Sequence, residues 1–368
     1  MTNTETEGAV LVWVSDAEIP ENAESESESL ISTLGYEVRA FVSQRRPHPD
    51  KAYYIGSGKL EEVKSVAEAT DSSIVVFENR LSGTQMNNLE KFLGLPVIDR
   101  DQLIIEIFAR HAVTNEGKLQ VELMRKKKLL PKVLGQGTAL SRQGGGGAGG
   151  GGARRGGGEQ QQELDKRTIR REIKDLEGKL EKLSRDRALR RRRRKKNDVK
   201  VISLVGYTNA GKSSLMNALT GAGVGVEDKL FHTLDPVVRK VRLGNLDALL
   251  VDTVGFISRL PHEFVDAFHS TLEETVESDA LIHVVDLSSE NASEEFEVVS
   301  SVLEEIGAGN IPVVTALNKC DRLFDDPVAI PARENVVRVS AKYRLGLEEL
   351  KERLLSVLNV GKEDFSED

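Results

Sequence analysis

Short apolar runs alternate with longer amphipathic stretches along the first hundred residues. The strand-like runs cover residues 10–14, 38–42 and 74–77, and helical stretches cover 25–34, 59–69 and 85–93. The runs are short and rich in β-branched residues, as buried strands are. Because strands that alternate with helices pair side by side in one direction, this order predicts a small parallel α/β domain over residues 1–100.

A second type of pattern occupies residues 101–197. A helical pattern over residues 102–130 is predicted to end before Pro131, and a glycine-rich stretch follows at 144–158, with 11 of the 32 glycines. A second helix is predicted from near Glu163, with apolar residues 4 and 3 apart at Ile169, Ile173, Leu176, Leu180 and Leu183. This spacing predicts an apolar seam, and the short connection predicts an antiparallel hairpin whose tip is the flexible glycine loop.

The third region, residues 198–368, begins with an apolar strand that feeds a phosphate-binding motif. The pattern G-x-x-x-x-G-K-S spans Gly206, Tyr207, Thr208, Asn209, Ala210, Gly211, Lys212 and Ser213. Glycines let backbone N–H groups converge on phosphate oxygens at a helix N-terminus. Lys212 is predicted to bridge the β- and γ-phosphates of a nucleotide, and Ser213 to ligate Mg²⁺. We therefore expect a three-layer α/β domain of the P-loop class.

A second nucleotide motif follows a later hydrophobic strand. It consists of Asp252, Thr253, Val254 and Gly255. Asp252 is predicted to hold Mg²⁺ through water, and the Gly255 N–H to sense the γ-phosphate. The next residue is Phe256, where related enzymes carry a glutamine that orients water. The sequence predicts slow intrinsic hydrolysis of the bound nucleotide unless a partner stimulates it, and no residue is assigned as catalytic.

A loop threonine between these motifs is a further candidate Mg²⁺ ligand. Thr233 lies in the segment Phe231, His232, Thr233, Leu234 and Asp235, which we predict to contact the nucleotide. A switch threonine completes the Mg²⁺ shell only when the γ-phosphate is present. An ordinary loop threonine is the alternative interpretation.

Two later motifs indicate guanine. The first, at a strand end, consists of Asn318, Lys319, Cys320 and Asp321, and the second of Ser340, Ala341 and Lys342. Asp321 is predicted to accept hydrogen bonds from the N1–H and the 2-amino group of guanine, two donors that adenine lacks. Asn318 is suited to the N7 edge, a backbone N–H of the second motif to O6, and Lys342 to the base plane. Cys320 is interpreted as a spacer.

Charge is segregated along the chain. The net charge is −8, yet residues 118–200 hold 26 Lys or Arg against 10 Asp or Glu, a local charge of +16. A basic segment in an acidic protein predicts a polyanion partner, although a solvated helix pair is the alternative. The candidate RNA-binding residues are Arg142, Arg154, Arg155, Arg190, Arg191, Arg192, Arg193 and Arg194.

Several classes of protein are disfavoured by the sequence. One cysteine excludes an internal disulfide, and no apolar run reaches the eighteen or so residues of a membrane span. The N-terminus does not resemble a signal peptide and the C-terminus carries no lipidation motif. We expect a cytoplasmic protein without stable membrane insertion, and a monomer.

The chain resembles the HflX family of ribosome-associated GTPases along nearly its whole length. The similar segments are residues 54–62, 97–100, 103–109, 116–123, 140–145, 206–214, 231–235 and 252–256. The resemblance implies binding of GTP and GDP with Mg²⁺, binding to the large ribosomal subunit and its rRNA, and a role in ribosome splitting or rescue. It also implies that the hairpin tip reaches toward the peptidyl-transferase region. The glycine loop is longer and purer in glycine than the family pattern.

Three other interpretations of the chain remain. The chain is alternatively a GTPase that acts on another RNA, in ribosome assembly or tRNA modification, a signalling GTPase, or an RNA-binding protein with a vestigial G domain. Intact Lys212, Ser213, Asp252 and Asp321 argue against the last of these. The short motif at residues 56–59 is interpreted as a turn and helix start, with a second nucleotide site as the alternative.

Overall fold

The computed structural model describes residues 6–17, 19, 24–143, 155–196, 199–221, 230–231, 236–259, 264, 269–322 and 335–363. The chain forms two compact units. The first comprises residues 1–110 and 118–180, and the second residues 111–117 and 181–368. Within the described residues, no helix has the length and apolarity that are needed to cross a bilayer.

The N-terminal sheet is parallel and has the three predicted strands together with a short fourth strand, β4, that was not predicted. Its strands are β1 (Glu7–Ser15), β2 (Tyr36–Arg45), β3 (Ser72–Phe77) and β4 (Val97–Asp99), in the order β2-β1-β3-β4. The helices are α1 (Glu24–Thr33), α2 (Ser57–Ala69), α3 (Gly83–Leu93) and α4 (Arg100–His111). Ser82 and Gln85 form a reciprocal capping box at the start of α3, and Gly94 ends it in the left-handed conformation. The predicted α/β order is confirmed.

A buried ionic cluster lies where β4 passes into α4. Asp99 has no exposed surface and accepts hydrogen bonds from the backbone N–H groups of Leu81 and Gln102. Its other donor is Nζ of Lys128, at 2.6 Å, and the same ammonium bonds to Asp101 at 2.9 Å. Because a buried carboxylate needs compensating partners, this cluster holds the chain around Lys128 against the sheet.

The helices of the middle region differ from the prediction at both ends. The prediction of a single helix over residues 102–130 is wrong. Helix α4 ends at His111, and a second helix, α5 (Asn115–Gln143), begins after a break. The Thr114 hydroxyl accepts from the Gly117 N–H at 3.0 Å, which caps the new helix. The predicted stop before Pro131 is also wrong. Pro131 lies inside α5 and is exposed, so the helix continues through the proline despite the lost backbone hydrogen bond.

The second helix of the hairpin starts earlier than expected. Helix α6 spans Arg155–Lys196, so the predicted start near Glu163 is wrong, and Gly156, Gly157 and Gly158 are helical. A glycine costs a helix only about 1 kcal/mol, which a helix of 42 residues can accommodate near its end. The rest of the predicted glycine loop, residues 144–154, lies outside the described residues.

Helices α5 and α6 run antiparallel, as predicted. Glu116, near the start of α5, bonds to Arg187, whereas Lys127, further along α5, pairs with Glu177 at 3.0 Å. Residues later in α5 therefore pair with residues earlier in α6, which is the antiparallel arrangement. Ile169 and Leu176 of the predicted seam are buried, and the seam's other three residues are half-buried.

The C-terminal sheet has six strands in the order β10-β9-β8-β5-β7-β6, all parallel except β6. The strands are β5 (Lys200–Gly206), β6 (Val237–Leu243), β7 (Leu246–Asp252), β8 (Ala280–Asp286), β9 (Val313–Asn318) and β10 (Val336–Arg338). The helices are α7 (Lys212–Thr220), α8 (His269–Val276), α9 (Ala292–Glu305) and α10 (Leu347–Glu363). Helices cover the sheet around a core that includes Ile202, Leu250 and Val314. This is the predicted three-layer architecture of a P-loop GTPase.

Candidate guanine-nucleotide site

The phosphate loop joins the end of β5 to the start of α7, and its shape depends on glycine. Gly206 has φ 154°, and a Cβ there would lie 2.3 Å from the Val284 carbonyl oxygen. Gly211 has φ 93°, and a Cβ there would lie 2.3 Å from Nδ2 of Asn318. Any larger residue would therefore meet a neighbouring strand or the guanine motif. The motif's two glycines set the path of the loop.

Lys212 is buried within this loop. Its Nζ donates to the carbonyl oxygens of Gly206, at 3.0 Å, and Tyr207, at 2.8 Å. Burial lowers the pKa of the ammonium to about 8, and the negative charge of Asp252 opposes this shift. An ammonium held in a buried loop, with two neutral acceptors, can exchange those acceptors for phosphate oxygens when an anion enters.

Ser213 and Asp252 meet although they come from different motifs. The Ser213 hydroxyl donates to Oδ2 of Asp252 at 2.6 Å, and Asp252, the last residue of β7, is completely buried. Hydroxyl and carboxylate oxygens are the ligands that Mg²⁺ prefers, with phosphate and water in the other positions. Among the described residues, no group of three or more His, Cys, Asp or Glu could hold a metal alone. The pair thus fits a cation that is bound jointly with a nucleotide.

The segment after Asp252 is fastened to the phosphate loop. Phe256 donates its backbone N–H to the Gly206 carbonyl at 3.1 Å, and its carbonyl accepts from Thr208 at 2.8 Å. The Phe256 ring is only 2 % exposed, so it belongs to the core. The Tyr207 hydroxyl is 2.7 Å from the Ser258 hydroxyl and accepts from the Ser258 N–H.

Asn318 connects the guanine motifs with the phosphate loop. Its Nδ2 donates to the Ala210 carbonyl at 2.9 Å, and its Oδ1 accepts from the Ala341 N–H at 3.1 Å. The Ser340 hydroxyl donates to Oδ1 of Asp321 at 2.5 Å. Three motifs that lie far apart in the chain are thus joined at the carboxyl ends of β5 and β9, where parallel sheets bind ligands.

One contact of this site was missed by the sequence reasoning. Lys319 has φ 61°, and its ammonium pairs with Asp286 at 2.6 Å. Asp286 is the last residue of β8 and sits at its strand end as Asp252 does on β7. That shared position is the signal that would have identified it. Burial and the neighbouring Asp321 raise the pKa of the Cys320 thiol, which agrees with its interpretation as a spacer.

Three family models match the chain in the order of its regions. They are GTP-binding GTPase N-terminal at residues 21–109, GTP-binding GTPase Middle Region at 111–194, and 50S ribosome-binding GTPase at 201–319. The GTPase HflX of Caldanaerobacter subterraneus subsp. tengcongensis is 45% identical over 350 residues, which cover 95% of this chain and 80% of that protein. The chain belongs to the HflX family.

Other comparisons agree with this assignment to HflX. The GTPase HflX of Escherichia coli is 40% identical over 91% of this chain and 78% of its own length. The crystal structure of SsGBP in complex with GDP is similar over 96% of this chain and 99% of that chain, at 29% identity and a TM-score of 0.52. As a member of the HflX family, the protein is a GTPase, which hydrolyses GTP to GDP and phosphate.

Some of the predicted site residues, or their side chains, lie outside the part of the chain that the structure describes. His232, Thr233, Leu234, Asp235 and Arg154 lie outside it. Phe231 is described and is buried with φ 56°. Of the hairpin arginines, Arg192 is exposed. The side chains of Arg142, Arg155, Arg190, Arg191, Arg193 and Arg194 are outside the described part.

Lys342, which is predicted to pack over the base plane, lies beside the next residue, Tyr343. It is exposed, and its Nζ lies 5.1 Å from the centre of the Tyr343 ring. Because its stem is long and solvated, this contact leaves the lysine available for a base that enters the site.

Proposed function

We propose that this HflX-family GTPase binds the large ribosomal subunit through its basic hairpin and acts in ribosome splitting or rescue during protein synthesis, or in ribosome biogenesis. The model that matches residues 201–319 describes a 50S ribosome-binding GTPase, and this match carries the proposal. In this account the domains are 1–100, 101–197 and 198–368, with the hairpin contacting rRNA and the last domain sensing GTP.

The charge of the hairpin supports an RNA partner. Some of its cations are used within the fold: Lys126 pairs with Glu172 and Lys128 with Asp99 and Asp101. Many others on α6 point to solvent, namely Arg167, Arg170, Arg171, Lys174, Lys179, Lys182, Arg185 and Arg192. Contacts of such cations with phosphates supply affinity without reading sequence, and shape supplies register.

In this proposal GTP binds with Mg²⁺ at the joined motifs. Ser213 and Asp252, which already share a hydrogen bond, hold the cation, directly and through water respectively, and Thr233 completes its shell. Asp321 and Asn318 select guanine, and Lys212 bonds to the phosphates. GTP orders the segment around Thr233 and Phe256, and that order is read by the ribosome-binding surface.

The catalytic partner is proposed to be the subunit itself. A phenylalanine ring that is 2 % exposed in the core cannot position water, so the chain supplies no group at the usual glutamine position. Stimulation in trans would then come from rRNA or ribosomal protein, which places charge or orients the attacking water.

Turnover of GTP with and without purified large subunits, at two salt concentrations, tests this function. We expect stimulation that falls at the higher salt, because phosphate contacts are lost as counterions compete. Changing Arg142, Arg154 and Arg155 to Glu should remove the stimulation and leave basal turnover unchanged. The matched control reverses three exposed cations outside the hairpin, Lys91, Lys240 and Arg353, and should retain the stimulation.

Two results would contradict the proposal. One is equal affinity of the subunit for the GDP form and for a form with a non-hydrolysable GTP analogue, because equal binding of both states shifts no equilibrium. The other is intact guanine binding with no stimulation by subunits, which would favour a GTPase that acts on another RNA. Where subunits do stimulate turnover, sedimentation of whole ribosomes incubated with the protein and GTP distinguishes the two roles. Conversion of whole ribosomes to separate subunits supports splitting, and unchanged whole ribosomes support a role in assembly.

A further inference from the structure

The turn that follows β10 carries an exposed aromatic side chain. Tyr343 is 59% exposed, and every other Phe, Trp or Tyr among the described residues is buried or half-buried. Leu345, two positions later, is 53% exposed. A single exposed ring does not by itself indicate a partner. The backbone and the charges around Tyr343 therefore decide whether the turn is a binding surface.

The backbone of this turn is held in one shape. Ser340 and Leu345 exchange two backbone hydrogen bonds of 3.1 Å, and the Tyr343 N–H donates to the Ser340 hydroxyl at 3.2 Å. Arg344 has φ 58°, and a Cβ at Gly346 would lie 2.1 Å from a backbone oxygen of β10. Because a left-handed conformation is costly for a residue other than glycine, it persists only where the surrounding structure imposes it. Tyr343 and Arg344 thus project from a fixed base, which reduces the entropy lost when a partner binds.

The segment around the ring is basic in a domain that is otherwise acidic. Residues 201–368 contain 15 Lys or Arg against 29 Asp or Glu, yet residues 335–347 contain three cations and no acid. The three cations are Arg338, Lys342 and Arg344, and all are exposed. Within the part of the chain that the structure describes, Arg338 and Arg344 form no ion pair. Their charges are therefore available to an anionic partner.

An exposed ring beside such cations fits an unpaired nucleotide of an RNA. A base stacks on a tyrosine ring while neighbouring arginines contact its phosphates. A stable protein interface, in contrast, buries about 800 Å² on each partner, with an apolar centre. Tyr343 and Leu345 are the large apolar side chains that this turn exposes, which is enough for one base but small for a protein.

We propose that the turn of residues 342–345 is an RNA contact of the GTPase domain, in which an unpaired base stacks on Tyr343 and a phosphate pairs with Arg344. This contact lies outside the basic hairpin, and it rests on the proposed function only in taking RNA as the partner. The Ser340 hydroxyl, which accepts from the Tyr343 N–H, also donates to Asp321 at 2.5 Å. Two hydrogen bonds thus join the RNA contact to the carboxylate that is proposed to select guanine.

Tryptophan fluorescence can report on stacking at this one position. The full chain with Tyr343→Trp is titrated with an oligouridylate of about 12 nucleotides, a length typical of single-strand binding sites. The native tryptophan, Trp13, is 8% exposed and serves as a constant background. The matched control is Arg353→Trp, which places the same ring at an exposed position of α10. Heparin is the control probe, because it is a polyanion without bases.

We expect the oligouridylate to quench the tryptophan of Tyr343→Trp saturably, with no quenching by heparin and none in the control variant. Adding Arg344→Asn removes the cation, and asparagine tolerates the left-handed backbone. This second change should weaken the binding about threefold and reduce the slope of log K against log salt by about 0.7.

Three results would overturn the proposal. They are the absence of quenching in Tyr343→Trp, equal quenching in Arg353→Trp, and a salt slope that Arg344→Asn leaves unchanged. If RNA does not quench but Tyr343→Ala lowers the stimulation of turnover by large subunits, the turn contacts a protein instead. The titration contains no ribosomal subunits, so its failure is distinguishable from failure of the ribosome proposal.

Discussion

The hydroxyl of Ser213 donates a 2.6 Å hydrogen bond to the carboxylate of Asp252, which is fully buried at the end of β7. The two residues are 39 positions apart in the sequence, and each belongs to a different nucleotide motif. Their contact brings a hydroxyl and a carboxylate oxygen together at one point of the fold. Under the proposed function these two side chains would hold Mg²⁺ together with the nucleotide.

Asp252→Asn should separate binding of guanine from binding of Mg²⁺. The amide removes the charge that attracts the cation, so we expect GTP turnover to fall at least tenfold and to respond weakly to added Mg²⁺. The control is Asp247→Asn, an exposed acid on the same strand, which should leave the Mg²⁺ titration unchanged. An Asp252→Asn enzyme with a wild-type titration would contradict the assignment.

The lowered pKa of Lys212 predicts proton uptake when GTP binds at alkaline pH. With its pKa lowered to about 8, a larger fraction of the Lys212 side chains is neutral at pH 8.5 than at pH 7 in the empty site. Phosphates restore the charged form, so affinity should fall as pH rises through 8. Calorimetry at pH 8.5, in two buffers of different ionisation enthalpy, should show a net uptake of protons on binding that is smaller at pH 7.

The neighbouring thiol is the natural control for that experiment. Burial and Asp321 raise the pKa of the Cys320 thiol, which favours its protonated form. Cys320→Ser should therefore keep the uptake of the wild type. Loss of the uptake in that variant would assign the proton to the thiol and refute the role of Lys212.

Gly255→Ala should destabilise the conformation in which Gly255 packs against the phosphate loop. A methyl group at this position would lie 2.9 Å from both Cα of Thr208 and Nζ of Lys212. Since one of these contacts is with backbone, we expect the free energy of unfolding without nucleotide to fall by about 1–3 kcal/mol. The control is Gly178→Ala in α6, where nothing lies within 4 Å, and it should be neutral or slightly stabilising. Equal unfolding midpoints of the two variants would show that the backbone around Gly255 has room to move.

Arg187 is expected to hold the end of α6 against α8 within the second unit. Its guanidinium bonds to Glu116 and lies 3.4 Å from Glu273 of α8, which also accepts from the Ser184 hydroxyl at 3.1 Å. A double-mutant cycle of Arg187→Met with Glu273→Gln should give a coupling free energy of about 1–2 kcal/mol. The free energy of unfolding is measured for the transition whose midpoint rises when GDP is added, since that transition reports on the GTP-binding part of the chain. These side chains are mostly buried, at 15% and 17% exposed.

The contrasting pair for this cycle is Arg185 with Glu181, which are 73% and 64% exposed. Because water and salt screen such a pair, its coupling should be about 0.5 kcal/mol or less. If both cycles gave the same small coupling energy, the end of α6 would be held against α8 by apolar packing and not by the Arg187–Glu273 ion pair.

Much of the architecture follows from local patterns. Strands β1 to β3 and helices α1 to α3 were predictable because apolar runs, β-branched residues and capping residues act within a few positions, as Ser82 and Gln85 do for α3. The three-residue strand β4 was not predicted. The boundary between α4 and α5 was predictable in principle from Thr114, which caps α5, but the continuous apolar periodicity concealed it. The start of α6 was not, because glycine propensity alone argues against a helix at residues 156–158.

The sequence alone determined the order of the nucleotide motifs, the chemistry of each side chain and the preference for guanine, because these depend on residue type and on spacing along the chain. The tertiary structure decided which of those groups meet. Asn318 reaches Ala210 across 108 positions, Lys319 pairs with Asp286, and the Thr208 hydroxyl is buried without a partner. The physical reason is that these contacts depend on how strand ends and loops pack together, and packing brings together residues that no local pattern relates.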